Sequence, residues 1–193
     1  MGKQIHLTKV LKLLEKSPVV DFKSIVRIVG KESYAKLLVS NLLKKNVLKK
    51  IGKGMYTIHE ESSLSVFVYT PSYLGLQSAL SYHGLWEQET IPIVLTTRKV
   101  RRGVRMVLGS NIMVRNIDTR FFFGFEYVLD GKFYVPYSDI EKTAIDMVVF
   151  KVKMDAVLCK VIRKRIDKVK FETYLNRYPR KLQELVKKKF FFN

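Results

Sequence analysis

His83, Tyr82, Glu141, Lys142 and Asp146 are the polar side chains of this chain whose types suit general acid–base work. Their spacing points elsewhere. Ser138 and Glu141 bracket Ser138-Asp139-Ile140-Glu141, the capping box in which a serine and a glutamate satisfy each other's helix-end donors. Lys142 and Asp146 stand four apart, the ordinary ion pair of one helix face. His83 precedes Gly84 at the end of a predicted helix, the place of a structural histidine. The single cysteine, Cys159, sits among apolar helical residues and reads as a small buried hydrophobe. With His6, His59 and His83 scattered, it gives neither metal-ligand spacing nor an internal disulfide. No glycine-rich phosphate loop or nucleophile elbow is found. The expectation is a protein that is not an enzyme and uses no cofactor and no metal.

The chemistry that the composition favours is attraction of a polyanion. Lysine and arginine number 36 against 17 acids in 193 residues, a net charge of +19. The excess is uneven: residues 1–60 carry 13 basic and 4 acidic groups, 61–150 carry nine of each, and 151–193 carry 14 and 4. Within the neutral middle, Arg98, Lys99, Arg101, Arg102, Arg105, Arg115 and Arg120 meet only Asp118 in their stretch. No apolar run approaches the roughly 20 residues of a membrane span. The opening MGKQIHLTKVLKLLEK is charged throughout and does not resemble a secretory leader. A cytoplasmic protein without a membrane partner is expected.

The first sixty residues have a readable order of elements to position these cations. Leu7, Val10, Leu11 and Leu14 recur at helical spacing and predict an amphipathic helix over 3–16. Ser17-Pro18 ends it, because the residue before proline avoids the helical region. Asp21 caps a second helix, FKSIVRIV, closed by Gly30. A third, over 32–45, buries Ala35, Leu38 and Leu42 and leaves Ser33, Lys36, Ser40 and Lys44 on its other face. VLKKI, the turn GKG and MYTIH then read as a β-hairpin, with Tyr56 as its core anchor. Three helices and a hairpin are the order of a winged helix-turn-helix, whose third helix enters the major groove while the hairpin reaches the backbone or minor groove. On that reading Lys31, Lys36, Lys44, Lys49, Lys50 and Lys53 supply charges for phosphates, and Lys36, Ser33, Ser40 and Tyr34 lie nearest the bases. Asn41 apart, that face offers no arginine, asparagine or glutamine, so base reading is limited and much of the affinity is electrostatic. A protein-docking module, or a bundle merely solvated by its lysines, uses the same elements.

The polar HEESS at 59–63 divides the chain into domains 1–60 and 61–193. In the second, SVFVYT (65–70) is predicted as a strand that Pro71 ends, and residues 73–83 as a helix capped by Gly84. Four further strands follow, IPIVLTT, NIMVRNI, FFFGFEYVL and KFYVPY, the last two joined by an Asp130-Gly131 turn. EKTAIDMVVF is the helix after the capping box, and helices against a mostly antiparallel sheet make an α+β fold. The basic tail 151–193 carries an apolar stripe of Met154, Val157, Leu158, Val161 and Ile162, then a last helix, RKLQELVKKK, with Pro179 in its first turn. Arg163, Lys164 and Arg165, together with Arg98, Arg101, Arg102 and Arg105, are candidates for a second basic surface converging on one duplex; a solvated helix face is the other reading. Phe121-Phe122-Phe123 reads as a buried strand, while the three phenylalanines at 190–192 either dock on the core or form a partner patch.

Pro71-Ser72-Tyr73, Ser78-Ala79-Leu80-Ser81-Tyr82-His83-Gly84-Leu85, Thr96-Thr97-Arg98 and Glu141-Lys142-Thr143-Ala144-Ile145-Asp146 resemble the AbiEi antitoxin family. The likeness spans nearly the whole chain, with Gly54-Met55-Tyr56 matching the Gly-x-Tyr of the family's wing. It implies the antitoxin and transcriptional-regulator half of a bacterial or archaeal abortive-infection toxin–antitoxin system. The implied partners are double-stranded DNA, as inverted operator repeats upstream of the protein's own operon, and a nucleotidyltransferase-like toxin countered without a stable complex. Some members of the family stand alone without a toxin gene. His83, Glu141, Lys142 and Asp146 occupy family positions and are not read as catalytic.

Overall fold

A computed structural model describes residues 2–191 of the chain. Three helices, α1 (Gly2–Lys16), α2 (Phe22–Val29) and α3 (Glu32–Lys44), come first. A short strand, β1 (Val20–Asp21), precedes α2, and the hairpin β2 (Lys49–Gly52) and β3 (Met55–Thr57) follows α3. Asp21 accepts the Ser24 N–H at 2.7 Å and opens α2, which Gly30 closes at φ 79°, as its sequence requires. The three strands pair antiparallel in the order β1-β3-β2. Val10, Leu14, Ile25, Ala35, Leu38 and Leu42 form the helical core, against which Tyr56 packs.

Alternation along the hairpin gives it a second buried face. Ile51 and Met55 pack with Leu64, Val66 and Tyr69, which belong to the next part of the chain. The hairpin is therefore a wedge between two cores. Its backbone comes so close that a Cβ on Gly52 would lie 2.5 Å from Val68 Cγ1.

Beyond it stands a six-stranded sheet of β4 (Ser72–Leu74), β5 (Ile93–Thr96), β6 (Gly103–Val107), β7 (Ser110–Asn116), β8 (Phe125–Asp130) and β9 (Phe133–Ser138). Its order is β6-β7-β5-β4-β9-β8, antiparallel except for the β4–β9 and β5–β7 pairs. The fold is α+β with a mixed sheet. Ile93 and Leu95 face one core and Val94 the other, so β5 is buried on both sides. Helices α5 (Ile140–Val149), α6 (Ala156–Arg165), α7 (Lys168–Leu175) and α8 (Arg180–Phe191) build the first of these cores; the wedge and a 3-10 helix, Ser62–Tyr69, build the second.

Several local expectations are corrected. Residues 65–70 are not a strand: 65–69 lie in the 3-10 helix, whose Leu64, Val66 and Tyr69 cover a sheet face, and Pro71 precedes β4, the position in a strand where a missing N–H matters least. The helix expected over 73–83 is confined to α4 (Gln77–Tyr82), because Tyr73 and Leu74 are taken into the middle of the sheet. Gly84 does end it, at φ 68°, with Gly84 N–H on the Ser81 carbonyl and Leu85 N–H on that of Leu80. The β8–β9 turn is Gly131-Lys132, one residue later than expected, because Asp130 pairs with Phe133. The capping box is absent: Ser138 is still in β9, so the helix enters one residue later and Asp139 caps it, accepting the Lys142 N–H at 2.8 Å. Ser138 Oγ instead shares a hydrogen bond with Thr143 Oγ1, and Glu141 Oε1 accepts the Asp167 N–H at 2.8 Å. Phe121-Phe122-Phe123 is a 3-10 turn and loop rather than a strand, turned in over Tyr73 and Tyr178. Strand β6 and helix α7 carried no expectation. Phe190 is buried and Phe191 packs beside it, so these two dock on the core; Phe192 lies outside the described residues. Among the described residues no helix is long and apolar enough to cross a membrane.

Candidate nucleic-acid interface

The face of α3 that points away from Ala35, Leu38 and Leu42 is open to solvent. Ser33, Lys36, Ser40 and Lys44 are exposed along it, as is Lys31 just before the helix. Leu37, 56% exposed, and Asn41 complete the face. Lys36 Nζ lies 2.7 Å from Glu32 Oε1, one turn back, and holds that carboxyl below its usual range by a hydrogen bond and by its charge. Tyr34 lies at the margin of this face and is half-buried, its ring edge-on to His6 of α1 at 6.1 Å. His6 Nδ1 in turn is 3.1 Å from the Ile28 carbonyl oxygen. In the hairpin, Lys50 and Lys53 are exposed, whereas Lys49 is half-buried and ion-paired with Glu60.

The second predicted basic surface divides in two. Arg98 and Arg105 border a cleft between the hairpin and β6, which Lys53 also lines. Arg101 is exposed beside them, its carbonyl accepting from Arg105 Nη2. Arg102 and Arg115 line a separate hollow, where the Arg115 guanidinium sits 5.5 Å over the Phe150 ring. Arg163, Lys164 and Arg165 are exposed on α6, whose Cys159 and Ile162 pack into the helical core on the sheet's other side. Arg98 and Arg105 thus share a cleft with the hairpin, and the cations of α6 do not line it.

Lys142 and Asp146 lie inside the sheet–helix layer. Both are fully buried and ion-paired. The i,i+4 pair that the spacing predicts forms, but inside the protein: every position of α5 from Glu141 to Val148 is buried, so the helix has no solvent face there. Lys142 Nζ also donates to Tyr178 Oη at 3.0 Å, and Asp146 Oδ2 accepts from Tyr73 Oη at 2.7 Å. The ammonium lies 5.2 Å from the Phe123 ring centre and 5.7 Å from those of Tyr73 and Tyr178. Burial pushes the Lys142 ammonium toward its neutral form and the Asp146 carboxyl upward, and their mutual attraction opposes both. Burial likewise drives the Tyr73 and Tyr178 phenols well above their ordinary range. Next to this pair, Asp139 Oδ2 accepts from Tyr174 Oη at 2.9 Å and lies 3.0 Å from Lys170 Nζ, which is also 3.6 Å from Glu141. Burial and the Asp139 hydrogen bond push the Tyr174 phenol up to about 12.

His83 Nε2 lies 2.8 Å from the Ser138 carbonyl, a structural bond that ties α4 to β9 when that nitrogen carries the proton. Tyr82 is partly exposed and stacks on Tyr137 at 4.6 Å. Cys159 is buried, and burial raises its thiol. Among the described residues no three His, Cys, Asp or Glu side chains stand together as metal ligands. Tyr73, Phe123 and Tyr178 were not legible as partners of Lys142; the one trace in the sequence is the apolar run that continues around the helix at Ala144, Ile145, Met147 and Val148.

No family model and no curated protein matches this chain. Among solved structures, it is similar to the crystal structure of the RV2827C protein from Mycobacterium tuberculosis. The TM-score is 0.66 at 10% sequence identity, over 98% of this chain and 76% of the other. At that identity the likeness is one of fold.

Proposed function

We propose that the protein is a DNA-binding transcriptional autoregulator of the antitoxin type, which binds operator repeats through a winged helix formed by α1–α3 and the β2–β3 hairpin. The observation that carries the reading is the exposed face of α3, where Ser33, Lys36, Ser40 and Lys44 stand in one stripe ahead of the exposed hairpin lysines Lys50 and Lys53. A helix fits the major groove, its hydroxyls can meet base edges, and its lysines and the hairpin can meet phosphates on either side. The antitoxin part, with a nucleotidyltransferase-like toxin countered without a stable complex, rests on the resemblance to the AbiEi family. A stand-alone regulator keeps the same DNA-binding face.

Fluorescence anisotropy tests the proposal, using the duplex upstream of the gene and a scrambled duplex across a salt series. The expected result is a preference of at least about a hundredfold at moderate salt, a floor set below the roughly 10³–10⁷ span of specific sites. With about six phosphates neutralised, the logarithm of affinity falls against that of salt with a slope near −5. Equal binding to both duplexes, or affinity indifferent to salt, refutes it. A second reading, direct neutralisation of an acidic toxin, draws on the same exposed basic surface, where Lys31, Lys44, Lys50 and Lys53 lie open to solvent. Co-purification of a stable complex with the neighbouring gene product selects that reading instead.

A further inference from the structure

Strands β6 and β8 are the two edges of the six-stranded sheet, and they differ in how they meet solvent. Strand β6 carries Arg105 and follows Arg101 and Arg102, charges that repel an incoming strand of another copy. Strand β8, FEYVLD, has no lysine, arginine or proline, and its register with β9 runs without a bulge from Phe125 to Asp130. The Asp139 N–H donates to the Gly124 carbonyl at 3.0 Å, which fixes the phase of the ladder. Alternation then turns the peptide groups of Glu126, Val128 and Asp130 toward β9 and those of Phe125, Tyr127 and Leu129 outward. Among the described residues no strand takes up that outer row.

The side chains of the row are apolar, and only the first is covered. Phe125 packs under the helices, its ring stacked on Tyr73 at 5.2 Å. Tyr127 and Leu129, farther along the same face, are each 59% exposed, and Tyr134, opposite Leu129 on β9, is 65% exposed. The sheet face that helices cover at one end of β8 is therefore bare at the other. A bare apolar row beside unpaired peptide groups is the pattern that accepts another strand.

A second copy of this chain fits that row in one register. Antiparallel pairing about a twofold axis sets outward peptide groups against each other, and two such alignments of β8 on itself keep all but one residue paired. Centred on Val128, the pairing opposes Glu126 of each copy to Asp130 of the other, and like charges directly opposite destabilise. Centred on Tyr127, it sets Tyr127 against Tyr127, Phe125 against Leu129 and Glu126 against Val128, with no such conflict. It also lays the bare end of each strand, with Leu129 and Tyr134, beside the end that the other copy's helices cover. Charge agrees with this choice of edge: two chains of +19 repel each other, and β8 brings Glu126 and Asp130 and no cation to the contact.

We propose that β8 is the interface of a homodimer, in which two copies pair antiparallel about Tyr127 and join their sheets into one. The pairing needs no DNA. It relates two α3 faces by a twofold axis, the symmetry of an inverted repeat.

Sedimentation velocity without DNA tests it, on full-length protein from about 1 μM to 1 mM. Wild type passes from monomer to dimer in the micromolar range, because a single strand pair buries less than the roughly 1,200 Å² of a stable interface. Leu129→Lys, at an exposed position, keeps Tm within a degree or two. It weakens the dimer about five- to thirtyfold, since each dimer loses two Leu129–Phe125 pairs. Cysteine cross-linking under a mild oxidant reads the register. Residue 127 faces itself at about 5.5 Å between Cα atoms, within disulfide reach, so Tyr127→Cys links. Residue 129 lies about 13 Å from its own copy, so Leu129→Cys stays unlinked, as does wild type, whose Cys159 is buried. A wild type that stays monomeric throughout overturns the proposal and leaves the edge to a strand of another protein. So does a dimer that Leu129→Lys leaves intact, or one in which Tyr127→Cys links no faster than Leu129→Cys. Neither assay contains DNA, so these failures leave the reading of the α3 face standing.

Discussion

Asp146→Asn isolates what the buried ion pair contributes, because it changes charge with little change of volume. The variant leaves the fully buried Lys142 ammonium facing an amide, Tyr178 Oη and three aromatic rings. Breaking a buried pair from one side costs about 3–5 kcal/mol. The lysine has one escape, release of its proton. At pH 7 that costs about 1.4 kcal/mol for each unit below an ordinary pKa near 10.4, so the penalty saturates at about 4.6 kcal/mol. A protein of this size loses about 2–4 °C of Tm per kcal/mol, which places the variant roughly 10–15 °C below wild type. The pH dependence identifies the cause. A lysine whose pKa is lower folded than unfolded binds fewer protons in the folded state, so stability rises with pH up to the unfolded value. Burial already lowers Lys142 in the native protein, and loss of its counter-charge lowers it further. The variant should therefore regain stability between pH 7 and 9, by up to about 1.4 kcal/mol per unit, and more steeply than wild type. Urea unfolding at several pH values measures this. Lys142→Met/Asp146→Leu, which removes both charges and keeps apolar volume, should recover most of the loss. A destabilisation of Asp146→Asn below about 1 kcal/mol, or one indifferent to pH, refutes the reasoning.

Three further outcomes are expected. Lys36→Ala should weaken operator binding and leave Tm within a degree or two of wild type, since its exposed pair with Glu32 is worth under about 1 kcal/mol; an unfolded variant would mark Lys36 as structural. Gly52→Ala should cost about 1–3 kcal/mol in urea unfolding, because its Cβ would lie 2.5 Å from a methyl of the stiff side chain of Val68; a neutral result would show that the wedge yields. Asp139→Ala removes the cap of α5 and the acceptor of Tyr174 and Lys170, and should cost about 2–3 kcal/mol. In the same variant, phenolate absorbance should show Tyr174 titrating below the value near 12 to which burial and Asp139 raise it.

How far the sequence could be read depended on whether a signal was local. Helix α2 was legible from Asp21 and Gly30, whose cap and left-handed turn act within one or two turns of chain. The β8–β9 hairpin was legible from its glycine, but its register was not, because pairing of Asp130 with Phe133 is set by the sheet. Residues 65–70 misled because a run of β-branched residues suits any buried segment, and only the opposing sheet decides between strand and 3-10 helix. Among the site residues, the exposed face of α3 followed directly from helical periodicity. Tyr34 departed from it because α1 supplies His6, a neighbour twenty-eight positions away. The division of the second basic surface depended on which face of the sheet each segment reached, and no local pattern carries that.

The placement of the acids explains why so much positive charge remains on display. Asp21, Asp118, Asp139, Asp155 and Asp167 each cap a helix by accepting backbone N–H groups. Asp146 is sealed inside against Lys142, and Glu141 accepts the Asp167 N–H. Carboxylates held by such internal tasks are poor partners for distant surface cations, whose charge then stays unneutralised. Lys31, Lys44, Lys50, Lys53, Arg98 and Arg105 meet no carboxylate among the described residues, and they fall on α3, the hairpin and the cleft beside it. Solubility alone does not account for that distribution. It asks for charge anywhere on the surface, and it gives no reason to gather unpaired cations on one helix face and the hairpin beside it. A ligand that brings its own negative charge to that face does.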